Sequence, residues 1–494
     1  MTTAQSSISN PRSPFSRYQP IIDDWDAFQE VIQRPLPTTI WTNPLKTTPE
    51  QLAALLTDAG IDHEPLPWYP GGFRLATEFK SGLRWEYLAG LYHVQEEVSM
   101  LPVLFMDLQP NDRVLDLCAA PGNKTAQIAV MLNNRGTVVA NDRNPGRMRA
   151  ARQTFNRLGL VNVTTTTADG ANFSKHAGLF DKVLADVPCT CEGTCRKDIS
   201  LLLKPVNSAK LVGVQTALLR KAVQLCKPGG RIVYSTCTFA PEENEMVVDT
   251  ILRESNGGLR VVAVTPPTGF VVTPGLTEWD GKTIDPSLQH ALRVWPHHND
   301  TGGFFVAVLE KEEINAKAER SKDGENDLAS FAPLHLCVEE EREPWVEIVS
   351  RRFGIDAEIF RPYTIFRVGK KKVYFVNADH QPLERPSPDA IGMHFMRTDG
   401  RYPKLTTGSA TLFAPHVTRN FVEITAEQVI DFMARREFPV PAAQLIHCTG
   451  NGYVMLRFKG AWIGQGALYM DAEGENGRIE SLLPKGWARE LTEV

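Results

Sequence analysis

KVLADVPC (residues 182–189) and RIVYSTC (residues 231–237) are two β-branched runs, and each ends in a cysteine. Short apolar runs of this kind are typical of buried strands in a parallel sheet. Ligands of open parallel α/β sheets bind outside the carboxyl ends of the strands. We therefore predict that Cys189 and Cys237 lie at one candidate site, with Asp186 beside them at the end of the first strand.

The same alternation extends on both sides of these two runs. Further strand candidates are RVLDLCA (113–119), TVVAND (137–142), NVTTTTAD (162–169) and GGFFVAVLEK (302–311). Helix-like stretches such as KTAQIAVMLNN and SAKLVGVQTALLRKAVQLC lie between strands, and KPGG at residues 227–230 is predicted to stop the second of them. Strands that alternate with amphipathic helices predict an α/β fold with a doubly wound, mainly parallel, Rossmann-like sheet.

The chain is too long for one hydrophobic core, since it has 494 residues, so we expect several domains. EKEEINAKAERSKDGEND is charged and lacks aromatic residues, which indicates an exposed boundary. Beyond it, β-branched and aromatic runs dominate and TAEQVIDFMARRE is the clear helix. We predict a flexible tail at 1–24, a small N-terminal α/β domain at 25–100, the parallel sheet at 101–311, a linker at 312–330, an α/β accessory module at 331–415 and a β-rich module at 416–494.

The composition is that of an ordinary globular protein, with 42% hydrophobic and 22% charged residues. No apolar run approaches the roughly 18 residues of a membrane span, and the N-terminus lacks the apolar stretch of a signal peptide. Eight scattered cysteines do not form a disulfide framework, so a reducing compartment and free thiols are expected. We predict a cytoplasmic protein with no membrane partner.

The net charge of −5 does not indicate a nucleic-acid binder, so nucleic acid would need local basic patches. Three groups of basic residues qualify: Arg143, Arg147, Arg149, Arg152 and Arg157 in one segment, Arg196-Lys197 after the first cysteine, and Arg367 with Lys370-Lys371-Lys372. Solvated charged faces are the alternative explanation, and the sequence leaves both open.

The first strand candidate runs into AAPGNKT (119–125) and then into a helix. Such a loop presents backbone N–H groups and a helix N-terminus to a ligand. It matches neither the phosphate loop GxxxxGKS/T nor the dinucleotide motif GxGxxG. Asp142 and Asp169 end the next two strands, where carboxylates can accept from ribose hydroxyls and an adenine amino group. A nucleoside cofactor without a pyrophosphate, such as S-adenosylmethionine, fits this pattern, and helix capping by the aspartates is the alternative.

DLCAAPGNKT, DVPC followed by EGTCRKD, and YSTCTFAPEENE resemble, in order and spacing, the motifs of the Sun/Fmu family of RNA (cytosine-5) methyltransferases. The resemblance covers roughly residues 85 to 311 and includes AGLYHVQEEVSMLPV and RVWPHHNDTGGFF. LPWYP, ANDRNPGRM and GLTEWDG look more like the tRNA-modifying branch of that family. GYVMLRFKGAWIGQG with IESLLPKGW resembles a PUA-like RNA-binding module.

The resemblance implies a class I methyltransferase fold, S-adenosylmethionine as cofactor and 5-methylcytosine as product, on tRNA or alternatively on rRNA. It also implies a monomer whose flanking domains, 25–100 and 416–494, bind RNA. The implied catalytic residues are Cys237, Cys189, Asp186 and Lys124. The implied cofactor-binding residues are Cys118, Ala119, Ala120, Pro121, Gly122, Lys124, Asp142, Arg147, Asp169 and Asp186. No metal is implied. Two departures from the family are Asn123, where glycine is common, and Cys191, where a small residue is common.

The chemistry explains why two thiols and a carboxylate would be needed. A thiolate that adds to carbon 6 of cytosine makes carbon 5 nucleophilic, and Asp186 can hydrogen-bond ring nitrogen 3 if burial raises its pKa. From the resemblance of YSTCTFAPEENE we assign attack to Cys237 and product release to Cys189, because spacing alone does not decide between them. Two alternatives for the cysteines are less well supported: buried inert thiols and a CxCxxxC metal site at residues 189–195. Two alternatives for the whole protein are a non-catalytic RNA scaffold and a nicotinamide oxidoreductase.

Overall fold

The structure is a computed structural model and describes residues 14–76, 79–202, 208–313, 339–398 and 403–491. The predicted linker at 312–330 lies outside these ranges from residue 314 onward. No helix of the described residues is both long enough and apolar enough to pass through a membrane.

The N-terminal part is a small antiparallel sheet with helices around it. Its elements are α1 (Trp25–Val31), β1 (Thr38–Thr42), α2 (Pro49–Asp58), β2 (His63–Pro65), β3 (Gly72–Leu75), α3 (Trp85–Ala89), β4 (Tyr92–Val94) and α4 (Leu101–Leu104). The strand order is β2-β3-β1-β4. Helix α2 begins with a capping box between Thr48 and Gln51 and with Pro49 in its first turn, which satisfies N–H groups at that end.

The prediction of a flexible tail up to residue 24 is wrong for residues 14–24. These residues include the 3-10 helix Ser16–Ile21, and Phe15 and Tyr18 are fully buried. Phe15 packs edge-on against Phe239, with the ring centroids 5.5 Å apart. Besides Phe28, the aromatic partners of this segment include Phe239 and Trp279 of the central part, more than two hundred residues away. The polar and proline-rich sequence of the segment did not reveal these distant partners.

The central part alternates strands and helices as predicted. Its elements are β5 (Arg113–Asp116), α5 (Asn123–Met131), β6 (Thr137–Asn141), α6 (Pro145–Leu158), β7 (Val163–Thr166), β8 (Phe180–Asp186), α7 (Ala209–Leu225), β9 (Cys226–Thr236), α8 (Glu245–Ser255), β10 (Leu259–Val261), β11 (Thr273–Pro274), β12 (Glu278–Trp279), β13 (Lys282–Thr283), β14 (Leu292–Val294), α9 (Pro296–Asn299) and β15 (Phe304–Lys311).

Strands β9, β8, β5, β6 and β7 lie side by side in that order and pair in parallel, which confirms the doubly wound sheet. Strand β15 then pairs antiparallel with β9, as an antiparallel strand at the edge of the parallel set. Helix α7 stops before KPGG, as predicted, but strand β9 begins earlier than the predicted residue 231. The helix ends at Leu225, and residues 227–230 already belong to β9, whose pairing with β8 shifts register there.

The sheet reverses its strand order at β5, which is paired with β6 on one side and β8 on the other. At such a reversal the loops after neighbouring strands turn to opposite faces and leave a crevice. Two hydrophobic clusters, one on each face of the sheet, hold these strands rigidly. The carboxyl ends of β5, β6, β8 and β9 therefore surround a fixed opening.

The C-terminal part contains two smaller sheets and more helix than predicted. Its elements are α10 (Glu339–Phe353), β16 (Tyr363–Val368), β17 (Lys372–Asn377), β18 (Ala390–Ile391), β19 (Met393–Arg397), β20 (Lys404–Leu405), α11 (Thr407–Phe413), β21 (Phe421–Glu423), α12 (Ala426–Met433), β22 (Glu437–Pro441), β23 (Gly452–Phe458), β24 (Ala461–Met470) and β25 (Asn476–Ser481). The sheet orders are β16-β17-β19-β20 and β21-β23-β24-β25-β22. Sequence patterns did not predict α10 and α11, since α10 contains Pro344 and α11 is short and rich in small residues.

These C-terminal sheets are joined to the rest of the molecule. Strand β18 pairs with β7 and so extends the central sheet. Trp85 of α3 packs edge-on against Phe458 of β23, with the ring centroids 5.2 Å apart. The ammonium of Lys46 donates to the carbonyl oxygens of Ala89 and Arg157 and to Thr411 Oγ1. One side chain thus ties the N-terminal, central and accessory parts together.

Candidate active site

A cavity of about 410 Å³ opens at the carboxyl edge of the parallel strands. Its volume lies in the roughly 300–1,000 Å³ range of small-molecule sites. The loops after β5, β6, β7, β8 and β9 and the loop before β15 supply its wall. Both halves of the predicted site therefore line the same cavity.

Three cysteines come together at one end of this cavity. Cys189 Sγ lies 3.4 Å from Cys237 Sγ and 4.0 Å from Cys191 Sγ. Cys191 adopts a left-handed backbone conformation with φ +59°, and so its thiol turns back towards Cys189. Cys195, the third cysteine of the CxCxxxC run, is instead buried in the aromatic cluster around Phe239. The cluster is thus made by Cys189, Cys191 and Cys237.

The three thiols affect each other's ionisation. Hydrogen bonds donated by Cys189 and Cys237 lower the pKa of Cys191 to about 3. For Cys189, the hydrogen bond with Cys191 has the largest effect, and it raises the pKa of the thiol well above its ordinary value. The hydrogen bond with Cys237 and burial raise the pKa of Cys189 further. For Cys237, the hydrogen bond with Cys189 favours the thiolate, but the hydrogen bond to Cys191, burial and nearby negative charge together raise its pKa. The cluster therefore favours one shared negative charge.

Asp186 lies beside the thiols, and both of its carboxylate oxygens accept hydrogen bonds. Lys124 Nζ donates to Asp186 Oδ2 at 2.7 Å, and Ser235 Oγ donates to Oδ1 at 2.8 Å. Burial opposes the charge of Lys124, but the charge and hydrogen bond of Asp186 outweigh it and raise the pKa of Lys124. The catalytic end of the cavity thus contains a firmly protonated lysine paired with Asp186.

A buried carboxylate holds the cysteine loop in shape. Glu243 accepts from the backbone N–H of Thr190 at 3.0 Å, from its hydroxyl at 2.7 Å and from Gln215 Nε2 at 2.8 Å. Gln215 also donates to the carbonyl oxygen of Pro188 at 2.9 Å. These contacts fix the backbone on both sides of Cys189.

A second carboxylate joins the cysteine loop to the N-terminal segment. Glu192 accepts from the hydroxyl of Tyr18 at 2.8 Å and from Thr238 Oγ1 at 2.9 Å. The N–H of Gly193 donates to the carbonyl oxygen of Cys237 at 2.9 Å, so the two cysteine loops are also bonded directly. The position of the thiols is therefore set by the tertiary structure, including residues 14–24.

Most of the predicted cofactor residues line the same cavity. These are Cys118, Ala120, Pro121, Lys124, Asp142, Arg147, Asp169 and Asp186. Ala119 and Gly122 belong to the same loop but are not among the lining residues. Their N–H groups are used inside the protein, by the carbonyl oxygens of Asn141 and Ala119 respectively. The loop therefore presents less free backbone than the sequence suggested.

The two strand-end aspartates have local partners as well as access to the cavity. Asp142 accepts from the backbone N–H of Asn144 at 2.8 Å and from Arg147 Nη1 at 3.2 Å. Asp169 caps the 3-10 helix Gly170–Asn172 and accepts from Asn172 Nδ2 at 2.5 Å. Capping, the alternative weighed from the sequence, is therefore real for Asp169, and both carboxylates also face the cavity.

The loop after β5, including the departure at Asn123, is accommodated by the local packing. Gly122 has φ +105°, and a Cβ there would lie 3.0 Å from Ala151 Cβ and Phe155 Cε1, so the loop is pressed against α6. Asn123 Oδ1 lies 3.0 Å from His93 Nε2, while His93 Nδ1 lies 2.9 Å from Arg157 Nη2. Because Arg157 can only donate, His93 donates to Asn123. Asn123 thus ties the start of α5 to β4.

The basic groups named from the sequence separate into structural and exposed residues. Arg157 and Arg196 are buried, and Arg196 donates to the carbonyl oxygens of Arg34, Pro35 and Thr301. The interpretation of these two arginines as an RNA surface is therefore wrong. Arg143 and Lys197 are exposed and line the cavity mouth, and Lys370, Lys371 and Lys372 are exposed at the β16–β17 turn.

Sequence reasoning missed several residues of the site. Ser235, Glu192 and Glu243 lie inside the quoted motifs, yet their roles as hydrogen-bond partners depend on tertiary contacts. Glu96 lines the cavity and accepts from the N–H of Gly302 at 3.0 Å, and burial raises its pKa. For Glu96, Glu192 and Glu243, the available signal was the presence of acidic residues in these motifs.

Comparison with known proteins places this site in a family. A family model described as 16S rRNA methyltransferase RsmB/F matches residues 103–310, and one described as the N-terminal domain of 16S rRNA methyltransferase RsmF matches residues 13–97. Ribosomal RNA small subunit methyltransferase F of Aeromonas hydrophila is 30% identical over 479 residues, with 94% of each chain covered. The chain belongs to the RsmB/F family. It is an RNA (cytosine-C5) methyltransferase, as the Sun/Fmu resemblance implied.

Two further relatives match only part of the chain. The tRNA (cytosine(49)-C(5))-methyltransferase of Pyrococcus abyssi is 34% identical and covers 59% of this chain and 93% of its own length. A crystal structure of a methyltransferase homologue from Pyrococcus horikoshii is 33% identical, with a TM-score of 0.51 over 58% of this chain and 90% of that chain. These matches confirm the class I methyltransferase fold of the RsmB/F family member.

Proposed function

We propose that this chain methylates carbon 5 of a cytosine in RNA through an adduct with Cys237, using S-adenosylmethionine as the methyl donor. The observation that supports this most is the 3.4 Å separation of Cys189 Sγ and Cys237 Sγ inside a cavity that Lys124 and Asp186 also line. Asp142 and Asp169, which line the same cavity, suit the ribose hydroxyls and the adenine amino group of the donor.

The residues of this chain would act in the following order. Cys237 passes its proton to the neighbouring Cys191 thiolate and adds to carbon 6 of cytosine as a thiolate. The new C–S bond moves electron density to carbon 5. Ring nitrogen 3 gains negative charge in the adduct and needs a hydrogen-bond donor, which the ammonium of Lys124 would supply while Asp186 orients it. The bound donor supplies the methyl group that carbon 5 accepts. The proton on carbon 5 then passes to a base, for which we propose the Cys189 thiolate. The C–H electrons re-form the double bond between carbons 5 and 6 as the bond between Cys237 and carbon 6 breaks.

The division of work between the thiols can be tested by trapping the adduct. Cys189→Ala should form the adduct and stall, so that RNA and protein run together on a denaturing gel. Cys237→Ala should abolish methylation and give no such complex. A gel-stable complex from Cys237→Ala alone would exchange the two roles. Full activity in both single variants would eliminate the covalent mechanism for this protein.

We propose RNA of the small ribosomal subunit as the substrate. The relative that supports this is similar over 94% of the chain, so the match includes the N-terminal and C-terminal parts as well as the catalytic domain. A tRNA substrate is the second candidate, favoured by LPWYP, ANDRNPGRM and GLTEWDG and by the similarity to the shorter Pyrococcus abyssi enzyme.

Bisulfite sequencing of total RNA from a strain without this protein distinguishes the two substrates. We expect one or more 5-methylcytosines to disappear from small-subunit rRNA and to return when the wild-type gene is restored. Restoration with Cys237→Ala should leave them absent. Loss of methylation only in tRNA would support the second candidate instead.

A further inference from the structure

Within the described parts of the chain, two groups of three side chains come close enough to share a metal ion. In one group, Asp23 already accepts hydrogen bonds from His297 and His298 and is 59% exposed. The other group is Cys189, Cys191 and Cys237, which has no carboxylate or imidazole partner among its three ligand atoms. The thiol group is the stronger candidate because thiolates are preferred ligands of thiophilic cations and all three sulfurs line the cavity.

We propose that Cys189, Cys191 and Cys237 form a binding site for a thiophilic divalent cation such as Zn²⁺ or Cd²⁺. With Zn–S bonds of about 2.3 Å, two sulfur ligands of a tetrahedral zinc ion lie roughly 3.8 Å apart. The Sγ atoms here are 3.4 and 4.0 Å apart in the two closest pairs, and all three lie within 4.8 Å of one another. The sulfur spacing therefore suits the ion without a change of fold.

The surroundings favour such a site in two further ways. The cysteine loop is fixed by Glu243, Glu192 and the hydrogen bond between Gly193 and Cys237, so the sulfurs do not have to be gathered from a mobile chain. All three cysteines line the cavity, so the ion has an entry path and an open fourth position for water. The nearby positive charge of Lys124 is paired with Asp186 at 2.7 Å.

Because the cluster already shares one negative charge, binding would replace its two remaining thiol protons by one cation and release those protons to solvent. Because Cys237 and Cys189 would both become ligands, the ion and the RNA adduct would exclude each other. Zn²⁺ would then be a reversible inhibitor of the methyltransferase. This consequence depends on the proposed roles of the two cysteines, whereas the binding itself does not.

Cadmium provides a test that is independent of activity. Titration of the reduced full-length protein with Cd²⁺ should give ultraviolet sulfur-to-cadmium charge-transfer absorbance that saturates at one ion per chain. Cys191→Ser should weaken binding at least about tenfold, since it removes one of three ligands. Cys448→Ser is the matched control, because Cys448 packs in the cluster of the C-terminal sheet. Thermal unfolding of each variant verifies that it is folded.

The proposal fails if the wild-type protein shows no such absorbance, if Cys191→Ser binds as the wild type does, or if Cys448→Ser removes the signal. In activity measurements, Zn²⁺ inhibition should be reversed by a chelator. If a phosphine reductant reverses it and a chelator does not, the loss of activity comes from a disulfide between Cys189 and Cys237, and the inhibitory metal site is refuted. Cadmium absorbance without zinc inhibition would retain the site and count against the roles proposed for the thiols.

Discussion

Asp142 shows how a single residue can serve both the protein and a ligand. Its side chain is almost buried, yet it lines the cavity between the N–H of Asn144 and the guanidinium of Arg147. Arg147 also donates to the carbonyl oxygen of Ala120, so Asp142 helps to hold the loop after β5. The carboxylate is therefore oriented before any ligand arrives, which reduces the cost of binding.

Asp142→Ala should weaken S-adenosylmethionine binding by about 1.5–3 kcal/mol, because a charged hydrogen-bond acceptor is removed. Isothermal titration calorimetry measures this directly. Asp62→Ala, at an exposed position of the N-terminal part, is the control and should bind as the wild type does. Equal affinities in the two variants would show that Asp142 does not hold the ribose.

At the scale of elements, His93 connects β4 to α5 and α6. It is buried between Asn123 and Arg157. Burial, together with the charge of Arg157, lowers the pKa of His93 to about 3. In the unfolded chain a histidine takes up its proton near pH 6.5. The unfolded state therefore binds more protons than the folded state between these two values, and the contribution of His93 to stability falls as the pH is lowered from about 6.5 towards 3.

We expect His93→Gln to reduce the loss of unfolding free energy on acidification by up to roughly 1 kcal/mol per pH unit in that window. Urea unfolding at a series of pH values measures this slope. His290→Gln is the control, since His290 is exposed, and it should keep the slope of the wild type. If the slope does not change in His93→Gln, the acid sensitivity originates elsewhere.

At the scale of the whole molecule, the C-terminal part is built into the protein rather than attached to it. Strand β18 extends the central sheet, and Trp85 and Leu88 share a hydrophobic cluster with the C-terminal β-sheet. Removing residues 331–494 would expose these groups to solvent. A lower RNA affinity of such a truncated protein could therefore result from impaired folding as well as from lost RNA contacts. We propose that this part, including the module predicted to be PUA-like, contributes RNA contacts through its exposed basic turn.

Replacing Lys370, Lys371 and Lys372 by alanine tests that contribution without disturbing the core. RNA affinity should fall, and the slope of log K against log salt should become shallower by roughly 0.7 to 0.9 for each phosphate that the lysines no longer neutralise. Lys175→Ala is the control, because Lys175 is exposed near the amino end of β8, at the opposite edge of the sheet from the cavity. If the salt dependence of RNA binding is unchanged in the triple variant, the basic turn does not contact RNA phosphates.

Local sequence patterns determined the central fold. The β-branched runs and the amphipathic stretches between them predict the parallel strands correctly, because their periodicity depends only on which faces are buried. They also place Asp186, Cys189 and Cys237 at strand ends, where the topology brings them to one cavity. The boundaries were less accurate, as residues 227–230 in β9 illustrate, because a register shift depends on the neighbouring strand.

Contacts between distant segments were decided only by the tertiary structure. Three features depend on residues far away in the chain. They are the burial of Phe15 and Tyr18, the internal hydrogen-bond partners of Arg157 and Arg196, and the addition of β18 to the central sheet. The same is true of Cys191, whose backbone conformation brings a third thiol to the pair. A residue's type and neighbours indicate what it can bind, but its actual partner is set by which surfaces the completed fold brings within hydrogen-bond distance.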